Sequence, residues 1–133
     1  MKIKKVLASK SYTGFYFDDQ AAIKADAKKD GATYVGEPHT EGFTNVRQAG
    51  EAISVTIVLE DGQVGYGDCA AVQYSGAGGR DPLFLADDFI RVIQEKIAPK
   101  LEGRELDSFK DLAEEFDTLK LDGKRMHTAI RYG

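Results

Sequence analysis

The sequence predicts an α+β fold: a three-stranded antiparallel sheet followed by a helical bundle. Three observations carry this. Ile53, Val55, Ile57 and Leu59 alternate with Ser54, Thr56, Val58 and Glu60, the period of a strand with one buried face. Asp61-Gly62 then separates that run from a second strand-like run, and Asp-Gly between two such runs reads as a hairpin. From Leu83 onward the apolar residues recur every three or four positions, the spacing of a helix face. Strands first and helices after is an α+β order.

Residues 1–8 read as the first strand, with Ile3, Val6 and Leu7 apolar. The lysines at 2, 4 and 5 suggest one wet face or an edge guarded by charge. Residues 11–50 are the least regular part. They hold three adjacent aromatics, Phe15, Tyr16 and Phe17, then a helix-forming stretch over 20–29 and the turn-rich "VGEPHTEGF". A connection of this length reads as a lid or binding loop, or as a loosely packed insertion. The hairpin at Asp61-Gly62 is expected to be a two-residue type I′ turn, with the return strand running over 63–72. Gly65 and Gly67 leave one face of that strand bare for a close neighbour.

Asp81 is a good N-cap and Pro82 a good first helical residue. Leu83, Ala86, Ile90, Ile93 and Ile97 then form one stripe with Phe89 beside it, and Pro99 is expected to end the helix. A second helix starts near Ser108, which caps, with Asp111 three residues on. Its stripe is Leu112, Phe116 and Leu119, and Gly123 follows as a stop. A third helix begins in "KRMHTAIRYG", with Met126, Ala129 and Ile130 on one side. Two turns with a partial apolar face gain little alone. The pattern therefore favours a chain cut before further packing, the other reading being Gly133 as a natural cap and stop. There is no internal repeat.

The chain has 133 residues, the size of one domain. Hydrophobic residues are 42% and charged residues 30%, an ordinary globular composition. A net charge of −4 argues against nucleic acid and against an anionic membrane surface as partners. No apolar run approaches the roughly 20 residues of a membrane span. The N-terminal apolar stretch, Val6 to Ala8, is too short for a signal peptide. One cysteine, Cys69, permits no intrachain disulfide, which fits the reducing cytoplasm.

The stretch "DCAAVQYSGAGGRDP" over 68–82 invites a phosphate-loop reading. The Walker pattern needs Gly-Lys-Ser/Thr at the helix start, and Arg80-Asp81-Pro82 stands there instead. Gly76, Gly78 and Gly79 do not match the dinucleotide spacing either. Two readings remain: a tight loop capped by Asp81, or a loop presenting Gln73, Tyr74 and Ser75 to a ligand outside the sheet. His39 and His127 have no second ligand at metal spacing and read as solvated or packing histidines. Cys69 reads as a small buried residue. The pairs Asp18-Asp19 and Asp87-Asp88 lack a third ligand at spacing and read as solvated charge. No catalytic constellation is legible from residue types and spacing.

At "GFYFDDQ", "TEGFTNVRQAGE", "ISVTIVLEDGQVGYGDCAAVQYSGAGGRDPLFLADDFI", "IAPKLEGRE" and "RMHTAIRYG" the chain closely resembles methylaspartate ammonia-lyase. The resemblance runs over the whole chain but covers only the N-terminal part of that enzyme, a member of the enolase superfamily. It implies that residues 1–133 are one N-terminal capping domain, with the (β/α)₈ barrel absent. It implies reversible loss of ammonia from threo-3-methylaspartate to give mesaconate, in amino-acid degradation by glutamate fermentation. Superfamily members use a Lys or His base, with Mg²⁺ stabilising the ene-diolate. The catalytic bases and the Mg²⁺ ligands would come from the barrel, and none carries over to this chain.

One residue does carry over. The glutamine of "CAAVQYSG" is Gln73, and the resemblance implies that it binds substrate. The amide offers a donor and an acceptor. The glycines after it would let cap and barrel approach closely. The "TGFYFDDQ" stretch resembles the other cap segment that folds over substrate, its aromatics excluding water as lids do. The resemblance further implies a cytoplasmic enzyme, homodimeric when complete, with this chain inactive alone. The alternative is a stand-alone, non-catalytic ligand-binding or protein-interaction module.

Overall fold

The computed structural model describes residues 1–71 and 82–133. Strand β1 spans Ile3–Asp18, helix α1 Gln20–Ala25, β2 Lys28–Asp30, β3 Thr33–Val35, β4 Arg47–Leu59 and β5 Val64–Ala70. Further on come α2 (Ala86–Val92), a π-helical turn (Ile93–Ile97), α3 (Ala98–Leu101), α4 (Phe109–Thr118), β6 (Lys120–Leu121), β7 (Lys124–Arg125) and α5 (Thr128–Tyr132). The main sheet is antiparallel with the order β1-β4-β5, and β2-β3 and β6-β7 are separate two-stranded hairpins. A three-stranded antiparallel sheet with helices after it is the fold class the sequence predicts.

Register sorts the two faces of the sheet. Val6, Ile57 and Gly65 lie abreast, as do Ala8, Val55 and Gly67, and Lys10, Ile53 and Cys69. This face packs on Ile93, Ile97 and Leu101 from the helical segment and on Met126 and Ile130 near the chain's end. The opposite face carries Leu7, Thr56 and Tyr66 abreast, and Leu7 and Tyr66 are exposed. Alternation from Ile53 to Leu59 therefore did report a half-buried strand. The outer edge of β1 is closed near its start by residues 102–104. Ile3 N–H donates to Arg104 O at 2.9 Å, Gly103 N–H to Ile3 O at 2.7 Å, and Val6 N–H to Glu102 Oε1 at 3.0 Å. Such cover blunts an edge that would otherwise pair with another chain.

The expected irregularity of 11–50 is corrected. β1 continues through Phe15, Tyr16 and Phe17 to Asp18, opposite Arg47 on β4. Aromatic residues favour a pleated, half-buried surface; of the polar residues at 9–11, Ser9 and Ser11 lie on the face opposite the helices, and Lys10 pairs with Glu51. The register shifts by two residues between Tyr12 and Tyr16, a bulge. There Thr13 Oγ lies 2.9 Å from Phe15 O and 3.1 Å from Gly50 O. Gly50 has no side chain because there is no room for one: a Cβ would meet Thr13 Oγ and lie 2.8 Å from Phe15 O.

The turn chemistry is also corrected. Leu59 N–H donates to Gln63 O and Gly62 N–H to Leu59 O. The β4–β5 loop thus has three residues, 60–62, and only Gly62 has positive φ, at 88°. That is a type I turn with a glycine bulge rather than type I′. The type I′ geometry appears instead at Asp122 (φ 53°) and Gly123 (φ 77°), joining β6 to β7. Gly123 is therefore a hairpin residue, not a helix stop.

Helix α2 begins at Ala86, four residues after Pro82, with no side-chain cap from Leu85. Its Ala86 N–H instead reaches Glu51 Oε1 on β4 at 3.2 Å. Burying Phe84 in the core keeps the preceding residues extended. Asp81, the expected cap, lies outside the described residues. Pro99 does not end the helical segment. The π-helical turn widens the coil just before it, with Ala98 N–H bonded to Ile93 O, and α3 carries Pro99 in its first turn. Widening there relieves the clash a proline makes with the preceding turn. The Ser108 cap is as expected, accepting from Asp111 N–H at 3.3 Å. No described helix is long and apolar enough to cross a membrane.

Gly50→Ala should destabilise the chain by about 1–3 kcal/mol, since the bulge must shift to admit a methyl group. Gly65→Ala meets nothing within 4 Å and should be neutral within about 0.5 kcal/mol. Urea midpoints of the two variants decide this; equal midpoints would remove the bulge constraint.

Candidate functional site

Several segments that sequence reasoning singled out meet at one end of the sheet. Ser11, Ala52 and Ala70 lie abreast on β1, β4 and β5. Immediately beyond this row β1 forms its bulge, and β5 gives way to Ala71 and residues 72–81. The two flanking strands are two strand spacings apart, about 10 Å. The chain returns at Pro82, and a Cβ on Gly42 would lie 3.2 Å from Leu83 Cδ2. The segment around 40–43 thus packs on the 82–86 return. Glu51 joins the set, 3.1 Å from Lys10 Nζ and capping Ala86.

Asp18 and Asp19 overturn the expectation of solvated charge. Both are buried. Arg47 Nε donates to Asp18 Oδ1 at 2.7 Å and Nη2 to Oδ2 at 2.9 Å, a two-point pair that compensates the burial. The same guanidinium donates to Ala32 O at 2.8 Å and lies 5.3 Å and 4.8 Å from the ring centres of Tyr16 and Tyr34. The β2–β3 hairpin is thereby fastened to the end of β1.

Asp19 caps α1 through Ala22 N–H. It also accepts from His39 N–H at 2.6 Å, Thr40 N–H at 2.8 Å and the Thr40 hydroxyl at 2.6 Å. Burial alone would push its carboxyl up. The Thr40 hydroxyl and the backbone donors of Thr40, His39 and Ala22 outweigh burial and hold it below the ordinary value. A carboxylate held ionised by that many donors is a weak base. Asp19 is therefore a strut that fixes the 39–40 segment against the end of β1.

His127 is a packing histidine, as one of the two readings had it. The ring is buried, 5.2 Å from the Phe84 ring and 5.1 Å from Phe89. Nδ1 accepts from Ala129 N–H at 3.1 Å, capping α5, and Nε2 lies 2.9 Å from Pro82 O. His39 lies at the surface with Nε2 3.0 Å from Asp26. Cys69 is buried, and burial, with the charge of Asp68 behind it, pushes its thiol up to about 11. A thiol so protonated is not a nucleophile. Asp87 and Asp88 are exposed, as expected. Phe15 and Tyr16 are exposed on β1 while Phe17 is in the core, so two of the three aromatics stay available at the surface.

Gln73, Gly76, Gly78, Gly79 and Asp81 lie outside the described residues. Among the described residues no group of three or more His, Cys, Asp or Glu side chains is placed to hold a metal ion. The described residues therefore do not fit a Mg²⁺ site. What the described residues form is a rigid frame around the two ends of the glycine-rich segment.

The chain matches the family described as "Methylaspartate ammonia-lyase N-terminus" over residues 1–133. The chain belongs to the methylaspartate ammonia-lyase family. It is 68% identical to methylaspartate ammonia-lyase of Clostridium tetanomorphum and 59% identical to that of Citrobacter amalonaticus, in each case over all of this chain and 32% of the relative. The chain thus spans about a third of the length of the curated relatives it matches. The crystal structure of the Clostridium tetanomorphum β-methylaspartase Mg complex superposes with a TM-score of 0.97 at 68% identity, covering all of this chain and 32% of that one. The structure of the same enzyme's Q73A mutant gives the same values. The Citrobacter amalonaticus enzyme containing (2S,3S)-3-methylaspartic acid gives 0.95 at 59% identity, with the same coverage.

Sequence reasoning missed Arg47, Thr40, Glu51 and the tether on Pro82. One signal for Asp19 was present: an Asp directly before the helix-forming run that starts at Gln20 is an N-cap position. Because the Asp19 carboxyl sits below its ordinary value in this family member, its contribution to stability is present above the unfolded carboxylate pKa, near about 4. It is lost as pH falls through the lower folded value. Asp19→Asn should cost about 2 kcal/mol at pH 6, with the gap to the parent narrowing as pH falls below about 4. Urea midpoints at both pH values test this; a gap that widens in acid would reverse the sign assigned to Asp19.

Proposed function

We propose that this chain is the N-terminal capping domain of a methylaspartate ammonia-lyase of the enolase superfamily, one domain over residues 1–133. The carrying observation is the end-to-end likeness to the Clostridium tetanomorphum enzyme, 68% identical with a TM-score of 0.97. The reaction is reversible elimination: a C–H bond at C3 and the C–N bond at C2 of threo-3-methylaspartate break, giving mesaconate and ammonia. The cap closes over a barrel that supplies the bases and holds Mg²⁺; the relative's Mg complex supports that metal for the whole enzyme. The 3-methylaspartic acid in the Citrobacter amalonaticus structure supports the substrate. The complete enzyme is a cytoplasmic homodimer serving glutamate fermentation.

Gln73 is the substrate contact of the cap. Its amide can donate to a carboxylate or accept from an ammonium. A glutamine stands at 73 in both this chain and the Clostridium tetanomorphum enzyme, and the existence of that enzyme's Q73A mutant supports attention to this position.

A chimera tests the reading: residues 1–133 replace the matching first third of the Clostridium tetanomorphum enzyme. The chain alone should give no turnover of methylaspartate, and the chimera should form mesaconate. Gln73→Ala in the chimera should lower kcat/KM about tenfold or more, the loss of about 1.4 kcal/mol in the transition state. Turnover by the chain alone would overturn the cap assignment. Saturable binding of methylaspartate by the chain alone, with an inactive chimera, would favour the binding-module alternative.

A further inference from the structure

We propose that the β2–β3 hairpin, residues 28–35, is a strap that opens and closes as one unit, with Arg47 as its latch. Seven of its eight residues are exposed, and only Tyr34 is half-buried. The hairpin therefore brings no side chain to the buried core. A two-stranded hairpin without such cover is at best marginally stable by itself. Its turn, with Gly31 at φ 58° between Asp30 and Thr33, sets the register of the two strands. It does not set where the hairpin lies, so its place must be fixed from outside.

One side chain does this. Arg47 Nη1 donates to Ala32 O at 2.8 Å, at the turn, and the guanidinium lies 4.8 Å from the Tyr34 ring centre. Among the described residues the hairpin makes no other hydrogen bond or ion pair to the rest of the chain. Arg47 Nε and Nη2 are held on Asp18, which is buried at the end of β1. A guanidinium is planar, so a fork fixed on one carboxylate aims its remaining N–H groups in a set direction. Asp18 thus aims the latch. The bond to Ala32 O is exposed, and a bond that competes with water contributes only modestly. It closes the strap without locking it.

The base of the hairpin is a hinge. Its two arms touch there: a Cβ on Gly36 would lie 3.2 Å from Ala27 Cα. Both arms are anchored beside that point. Ala27 N–H donates to Ala22 O, and the N–H groups of His39 and Thr40 donate to Asp19. Anchored stems, an exposed body and one latch at the tip make a segment that opens locally, below the free energy that opens the β1–β4 ladder. Opening leaves Arg47 on Asp18 and Tyr16, and uncovers the guanidinium face that Tyr34 covers.

Hydrogen exchange of the full chain, read by mass spectrometry on peptides covering 28–35 and 53–59, tests the strap. In the parent, 28–35 should be protected relative to an unstructured peptide, yet exchange about a hundredfold faster than 53–59. Arg47→Lys keeps a cation beside Asp18 but has no fork to reach Ala32 O. It should speed 28–35 about tenfold more than it speeds 53–59. Tyr34→Leu leaves the Asp18–Arg47 pair intact, and it should speed 28–35 about threefold while 53–59 is unchanged. Tyr34→Leu decides alone if Arg47→Lys does not fold. Equal rates for the two parent peptides would mean that the hairpin opens only with the whole chain, and would overturn the strap. So would a parent hairpin with no protection, which is never closed. Variants that leave 28–35 unchanged relative to 53–59 would remove Arg47 as the latch.

Discussion

The antiparallel ladder between β1 and β4 is the constraint on which the rest of this chain depends. It runs from Ile3 opposite Leu59 to Asp18 opposite Arg47, with a one-residue shift between Ile3 and Lys5 and a two-residue bulge over Gly50. Below the bulge it sets the apolar face that receives the helices. Beyond the bulge it delivers Asp18 to Arg47 and Asp19 to the 39–40 backbone. A bulge bends and twists the strand that carries it. Here the two extra residues make Thr13 Oγ meet the Gly50 carbonyl and leave Phe15 and Tyr16 exposed while Phe17 turns into the core. The far half of the ladder therefore depends on a glycine at 50 as much as on any apolar contact.

The half of this ladder with clean alternation was legible in the sequence, and the half with the bulge was not. From Ile53 to Leu59 every second residue is apolar and faces the helices, so period alone locates the strand. At Thr13 to Phe15 the period breaks by two residues, and a broken period looks like a loop. The same limitation applies to the acidic pair. Asp18 and Asp19 read as surface charge because their partners, Arg47 and Thr40, lie 29 and 21 residues away. Turn chemistry was misplaced for a related reason. Asp61-Gly62 and Asp122-Gly123 are the same dipeptide, and only the hydrogen-bond register, Leu59 to Gln63 against Leu121 to Lys124, tells which one takes type I′ geometry. Pro99 shows the converse: its local signal is strong, and a π-helical turn absorbs it.

What sequence could supply about the site was a family, together with an expectation for Gln73, which lies outside the described residues. Likeness over the whole chain names the family, because identity spread over 133 residues is far more specific than any short motif. The frame around the candidate site is invisible to motif reading because its members are ordinary residues in unusual places. Glu51 caps a helix from a strand 35 residues earlier. His127 caps α5 and bonds Pro82 with its two ring nitrogens.

The buried polar groups described here serve position rather than reaction. Asp19 is ionised and fully engaged by donors, Cys69 is protonated, and His127 is hydrogen-bonded through both ring nitrogens. Each unsatisfied partner of such a group would cost about 1–3 kcal/mol, so these contacts hold their segments in single arrangements. That rigidity suits a cap. A polar contact contributes most when its groups are already in place, since any reordering on binding subtracts from what the contact supplies. The struts at one end of the sheet hold Asp18, Asp19 and the 39–40 segment in fixed places. In this chain the end of β1 and the stretch around Pro82 are held by side chains whose polar atoms are already engaged in holding them.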